Sequence, residues 1–343
     1  AAVGVNTNGD PFLLDLHEKF HGPHGLIAGM TGSGKSEFII TYILSLAVNY
    51  HPHEVAFILI DYKGGGMAKA FEALPHTAGI ITNLDGNEIN RSLQSIESEL
   101  ERRQRIFSEC QKKIRNIDIY KYQQLYREKQ VSEPLSHLVI ITDEFAELKT
   151  QQPEFLQQLI RTARIGRSLG VHLILATQKP AGSVDPEIWS NSNFHISLRV
   201  QTPEDSREIL KCEDAAHLTR VGSMFKQVGY GEVLVKAQSG WTGADYAPDS
   251  VNLPDCGVDV LNHMGSVIRH EDVAIGGKSS SSQLDAVIDY IKNLGKVSMM
   301  SARKLWEPVL EKDISLAALR KKYGVQDDPG VLNPILGEAD NPA

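Results

Sequence analysis

The stretch "GMTGSGKSEF", residues 29–38, decides how this chain is read. Gly29, Gly34, Lys35 and Ser36 complete the spacing GxxxxGK[ST], with Met30, Thr31, Gly32 and Ser33 between them. Glycines let successive backbone N–H groups turn inward on phosphate oxygens, and the helix opening at the end of the loop adds its positive end. Lys35 is then placed to reach the β- and γ-phosphates, and Ser36 to offer a hydroxyl to Mg2+. Glu37 follows in the first helical turn, so Gly29, Met30, Thr31, Gly32, Ser33, Gly34, Lys35, Ser36 and Glu37 form the nucleotide-binding candidates. The context fits, because "GLIAG" (25–29) reads as a strand before the loop and 34–49 as a helix after it.

Outward from that loop, apolar runs alternate with amphipathic stretches, the rhythm of a parallel sheet covered by helices. The predicted strands are 25–29, 55–61, 137–143, 171–177, 194–200 and 229–235; the predicted helices are 34–49, 67–73, 87–130, 153–168 and 204–210. The stretch 87–130 is long and charged, with a break expected near "IRNID". From about 246 the rhythm stops, and "KSSSSQ" marks a joint. The expected division is an ATPase-type domain over 1–245, a linker over 246–283, and a helical connector over 284–343 with the start of a following module. In that last part "QLDAVIDYIKNLG" reads as an amphipathic helix, Trp306 as the anchor of a turn, and the terminal "PILGEADNPA" as an echo of the N-terminal "VGVNTNGDP".

Composition narrows the partners. The 343 residues carry 35 basic and 43 acidic side chains, a formal charge of -8, which is no footprint for a dedicated nucleic-acid binder. Cys110, Cys212 and Cys256 are too far apart for a CxxC site and odd in number, so a reducing interior is expected. No run approaches the ~18 apolar residues of a membrane span, and the opening lacks the pattern of a secretory signal. The first residue, Ala1, and the terminal "GEADNPA" suggest a piece of a longer chain, which leaves a membrane tether elsewhere open.

Catalytic chemistry is expected at two further strand ends. "LVIITDE" (138–144) delivers two adjacent carboxylates where α/β sheets place ligands. Asp143 suits the metal through its water shell, and Glu144 the activation of an attacking water. A small-molecule kinase needs no such base, so the pair favours hydrolysis; the alternative is two solvated acids capping the helix "EFAELK". Gln178, closing "LILATQ", is placed to sense the γ-phosphate, or else simply forms the turn. Arg161, Arg164 and Arg167 precede that strand; one of them could reach a neighbouring subunit's γ-phosphate, and a plain surface role is equally open. The three glycines of "DYKGGG" (61–66) read either as a nucleotide-coupled loop or as a turn.

These segments together, "HGLIAGMTGSGKSEF", "FILIDYKGGGM", "LPHTAGIITN", "VIITDEFAEL", "GRSLGVHLILATQKP" and "SLRVQTPEDSREIL", resemble the FtsK/SpoIIIE family of P-loop motor ATPases over roughly residues 20 to 215. The resemblance implies an α/β P-loop NTPase fold of the RecA-like, additional-strand type, with a mainly parallel central sheet flanked by helices. It also implies ATP and Mg2+ as cofactors. Gly34, Lys35 and Ser36 become phosphate and metal ligands, Asp143 and Glu144 the Mg2+ and catalytic acids, Gln178 the sensor and Arg167 the finger candidate.

Within the family, "HGPHGLIAG", "DYKGGGM", "LPHTAGIITNLDG" and "WTGADY" are similar to the first of the tandem ATPase domains that serve type VII protein secretion. That likeness implies a cytoplasmic domain of a protein anchored in the bacterial cell membrane. Its implied partners are neighbouring ATPase domains in an oligomer, secreted helical-hairpin proteins and membrane components of the secretion system. Two alternatives stand beside it: a double-stranded DNA translocase of the same family, and a nucleotide-binding regulatory module with little turnover. "KCEDAAHLTRVGSMFKQVGYGEV" departs from the glycine-rich continuation of DNA-translocating members, and no winged-helix reader is visible, so no specific nucleic acid is expected.

Overall fold

The computed structural model describes residues 1–61, 66–82, 86–112, 114–229, 233–246, 257–272, 281–305 and 315–324. The chain opens with β1 (Ala2–Asn6), β2 (Pro11–Leu13), β3 (Gly25–Ala28) and α1 (Lys35–Asn49), then β4 (Val55–Ile60), α2 (Gly66–Ala70) and β5 (Thr77–Ile81). There follow α3 (Gly86–Gln111), α4 (Ile119–Arg127), β6 (His137–Thr142), α5 (Phe145–Gln151), α6 (Pro153–Gly166) and β7 (Val171–Thr177). Next come α7 (Pro186–Asn191), β8 (Phe194–Leu198), α8 (Pro203–Leu210), β9 (Ser223–Val228) and β10 (Val233–Ser239). The described elements end with β11 (Gly257–Leu261), β12 (Val267–Asp272), α9 (Gln283–Ser298) and α10 (Leu316–Tyr323).

Ten strands join one sheet in the order β2-β1-β10-β9-β8-β3-β7-β6-β4-β5. The six strands from β8 to β5 run parallel, and β9, β10, β1 and β2 extend that sheet by antiparallel pairing. Strands β4, β7 and β8 are buried at every position because helices cover both faces; β4 is accordingly all apolar, while β7 and β8 also bury His172, Thr177, His195 and Ser197. One face carries α1, α2 and α9 through Phe38, Ile39, Met67, Ile288 and Ile291. The other carries α3 to α8 through Ile96, Leu100, Tyr122, Phe145, Leu159, Ile188 and Ile209. Strand β7 lies between the phosphate-loop strand β3 and the carboxylate strand β6, the additional-strand arrangement expected above.

Several expectations are refined. The strand predicted over 229–235 is displaced: β10 runs from Val233 to Ser239, and its antiparallel partner β9 (Ser223–Val228) lies before the predicted run and is followed by Gly229 at φ 67. The helix predicted over 87–130 does break at "IRNID": Asn116 takes φ 54, and Asp118 caps α4 by accepting from the Lys121 N–H. Residues 62–65 of "DYKGGG", 279–280 of the serine run, Trp306 and the terminal "PILGEADNPA" lie outside the described residues. Ser282, at the end of the serine run, caps α9 in a capping box with Asp285. Helix α9 does not stand apart. Ile288 and Ile291 join the core on the α1 face. Beyond it, the Ala302 and Leu305 N–H groups donate to Pro75 O and Ala78 O along the β5 edge at 2.8 and 3.1 Å.

Candidate functional site

The phosphate loop is fastened at both ends before it turns. The Gly29 N–H donates to Thr177 O at 3.2 Å on β7, and the Met30 N–H donates to Arg199 O at 2.9 Å beyond β8. Gly32 and Gly34 then take φ 76 and 93, dihedrals that a side chain would oppose. A Cβ on Gly29 would come 2.5 Å from Ser33 Oγ, so glycine there lets the loop close around Ser33. The Gly222 N–H, from the turn before β9, donates to Ser33 O at 2.8 Å and braces the loop from outside. Helix α1 begins at Lys35, so its first amides point into the loop's concavity.

The charged groups meet at the same sheet edge. Lys35 is 3% exposed, and its Nζ donates to Asp143 Oδ1 at 2.8 Å and to Asp143 O at 2.5 Å. The Asp143 N–H donates to Ile60 O at 3.0 Å, which extends the β6–β4 ladder by one residue and holds the carboxylate at the strand end. Next to it Glu144, 3% exposed, accepts from the Thr177 hydroxyl at 2.6 Å and from the Gln178 N–H at 3.1 and 3.2 Å. The Gln178 side chain faces the phosphate loop, where Thr31 Oγ1 donates to its Oε1 at 2.9 Å. Ser36 and Glu37 lie half-buried on the first turn of α1.

This donor set fits a nucleoside triphosphate with its metal. The cradle is backbone N–H groups and one cation, the groups a polyphosphate needs. Ser33 Oγ is buried within the loop with no partner of its own. The metal-directed groups, Ser36 hydroxyl and Asp143 carboxylate, are oxygen donors of the kind Mg2+ takes. Lys35 and Asp143 currently satisfy each other, so serving a triphosphate requires that pair to open.

Sequence reasoning brought Lys35, Asp143, Glu144 and Gln178 to one place, and the structure does bring them together. Arg167 is elsewhere. It precedes β7, and its Nε donates to Glu18 Oε1 at 2.6 Å at the edge where strands begin. The seven residues of β7 separate the two edges, about 23 Å at about 3.3 Å each. Arg167 therefore takes no part in this chain's own loop chemistry. Two groups escaped the sequence reading: Thr177, whose signal was a polar residue in a strand buried at every position, and Asp61. Asp61 follows β4 directly, is buried, and its Oδ2 accepts from the Ala68 N–H at 3.3 Å.

A family model described as the FtsK/SpoIIIE family matches residues 1–182. The type VII secretion system protein EssC of Staphylococcus aureus (strain Mu50 / ATCC 700699) is 47% identical over 353 residues, covering 99% of this chain and 24% of that protein. The ESX secretion system protein YukB of Bacillus subtilis (strain 168) is 49% identical over 298 residues, covering 85% of this chain and 20% of that protein. Among solved structures, the cytoplasmic domain of the Thermomonospora curvata type VII secretion ATPase EccC matches with a TM-score of 0.71 at 28% identity, over 90% of this chain and 32% of that one. The chain thus spans a quarter or less of the length of these curated relatives. Among the described residues, no helix is long and apolar enough to cross a membrane.

Proposed function

The chain belongs to the FtsK/SpoIIIE family and is a P-loop ATPase; from that premise we propose that it is a motor module of a membrane-anchored type VII secretion protein, hydrolysing ATP to drive protein export. The observation that carries the hydrolytic part is the placement of Glu144. It is buried at the end of β6, one residue past the lysine-paired Asp143 and within hydrogen-bond reach of the strand end that bears Gln178. A carboxylate fixed there is placed to accept a proton from an attacking water.

In this reading the loop amides and Lys35 hold the β- and γ-phosphates, with Lys35 leaving Asp143 as it does so. Ser36 and Asp143 would hold Mg2+, which would supply charge neutralisation to the phosphates when bound. Glu144 takes a proton from water as the water oxygen bonds to the γ-phosphorus and the bond to the β–γ bridging oxygen breaks. Gln178 orients that water and reports the γ-phosphate to the loop through Thr31. An arginine from a neighbouring domain completes charge stabilisation; for Arg167 to be that residue toward another subunit, its pair with Glu18 must open.

The secretion assignment rests on identity across nearly the whole chain to EssC, and on the similarity to YukB. The proposed partners are further ATPase domains and exported proteins. With any further phosphate loop disabled, Lys35→Ala is expected to reduce ATP hydrolysis by the full-length protein by roughly two orders of magnitude, and in the otherwise intact full-length protein to stop export. Undiminished hydrolysis and export in that variant would refute the reading.

A further inference from the structure

We propose that Thr177 is a positioning residue for hydrolysis: its hydroxyl proton, aimed at Glu144 Oε1 from the end of β7, fixes the carboxylate in the orientation from which it takes the proton of the attacking water. The inference rests on the reading of Glu144 as the base.

Three observations support it. Thr177 is fully buried, and its Oγ1 lies 2.6 Å from Glu144 Oε1. The same Oγ1 accepts from the Lys179 N–H at 3.0 Å, which uses one of its acceptor positions, while its single proton goes to the carboxylate. The β-branched side chain is also stiff about χ1, so the hydroxyl has little freedom to turn elsewhere. A hydroxyl used only to satisfy a polar position in a strand could donate to a neighbouring carbonyl; this one donates to the acid with the catalytic placement.

The arrangement also ties the base to the phosphate loop. The carbonyl of Thr177 accepts from the Gly29 N–H at the loop's first glycine. The next residue, Gln178, donates its N–H to Glu144 and accepts from Thr31 through its side chain. A movement of the loop around a γ-phosphate is therefore passed to Glu144 through two consecutive residues, by the side chain of one and the main chain of the other.

The test is the isosteric Thr177→Val with Thr177→Ser as the rescue, in the full-length protein with any further phosphate loop disabled by lysine-to-alanine substitution. Nucleotide affinity, read with a fluorescent ATP analogue, shows that the loop is intact. For Thr177→Val we expect affinity within about twofold of the parent and kcat lowered roughly tenfold or more. Thr177→Ser should restore kcat. The proposal is overturned if Thr177→Val keeps the parent kcat, if its nucleotide affinity falls together with kcat, or if Thr177→Ser is as slow as Thr177→Val, which would show that the hydroxyl does not carry the effect. If Thr177→Val does not fold, Thr177→Ser carries the test alone: a parent-like kcat supports the hydroxyl, and a kcat lowered roughly tenfold refutes it. Failure of the underlying reading is distinct: Glu144→Gln would then turn ATP over at the parent rate.

Discussion

The two ends of strands β3, β6 and β7 bury polar groups of opposite character. At the carboxyl ends, the Lys35–Asp143 pair and the Thr31–Gln178 contact are ones that a triphosphate can replace, while Thr177 holds Glu144 beside them. At the amino ends the groups hold one another or the backbone. His137 Nδ1 lies 2.8 Å from His172 Nε2, His172 Nδ1 lies 3.1 Å from Pro23 O, and His24 Nδ1 accepts from the Leu173 N–H. Nearby, the fully buried Arg103 donates to Glu99 Oε1 at 2.7 Å and to Leu169 O at 2.8 Å. One edge is built for exchange and the other for permanence. Burial alone does not mark a functional site, then; what distinguishes it is glycine-shaped backbone and a lysine paired with a carboxylate at the end of a strand.

That contrast can be broken most sharply at Arg103. Arg103→Ala leaves Glu99 with Arg102 alone in a buried setting, and is expected to cost roughly 3–5 kcal/mol of unfolding free energy. Turnover per folded molecule should stay unchanged. Urea titration beside specific activity checks both; a loss of activity without loss of stability would move Arg103 into the catalytic account.

The smaller test is acid. Burial, reinforced by Arg103, pushes His137 down to about 3; burial, reinforced by Arg167, pushes His24 down to about 4; and burial holds His172 well below 6.5. Each is neutral when folded, so its contribution is complete above the unfolded value of about 6.5. It is lost as pH falls from there toward the folded values, at about 1.4 kcal/mol per pH unit for each histidine. Unfolding curves at several pH values between 7.5 and 5 should show this slope, and His137→Asn should lessen it by one proton's worth. A pH-independent stability in that range would contradict the closed character of this edge.

Much of the exchanging edge was legible because its residues are local: eight positions write the phosphate loop, and "DE" and "TQ" close two apolar strands. The permanent edge was not, since His24, His137 and His172 meet only because β3, β6 and β7 start side by side. Thr177 was hidden in plain view, its hydroxyl looking like any strand threonine until Glu144 is placed 2.6 Å away. The hairpin β9–β10 and the docking of α9 on the α1 face escaped because both are decided by long-range packing rather than periodicity.

The central claim, that Glu144 acts in chemistry and not in holding the nucleotide, is tested most directly by Glu144→Gln in the full-length protein. ATP affinity and single-turnover hydrolysis should be measured on the same preparation, with any further phosphate loop disabled. The account predicts affinity close to the parent with hydrolysis reduced by roughly 10²-fold or more. Hydrolysis at the parent rate, or affinity lost together with hydrolysis, would contradict it.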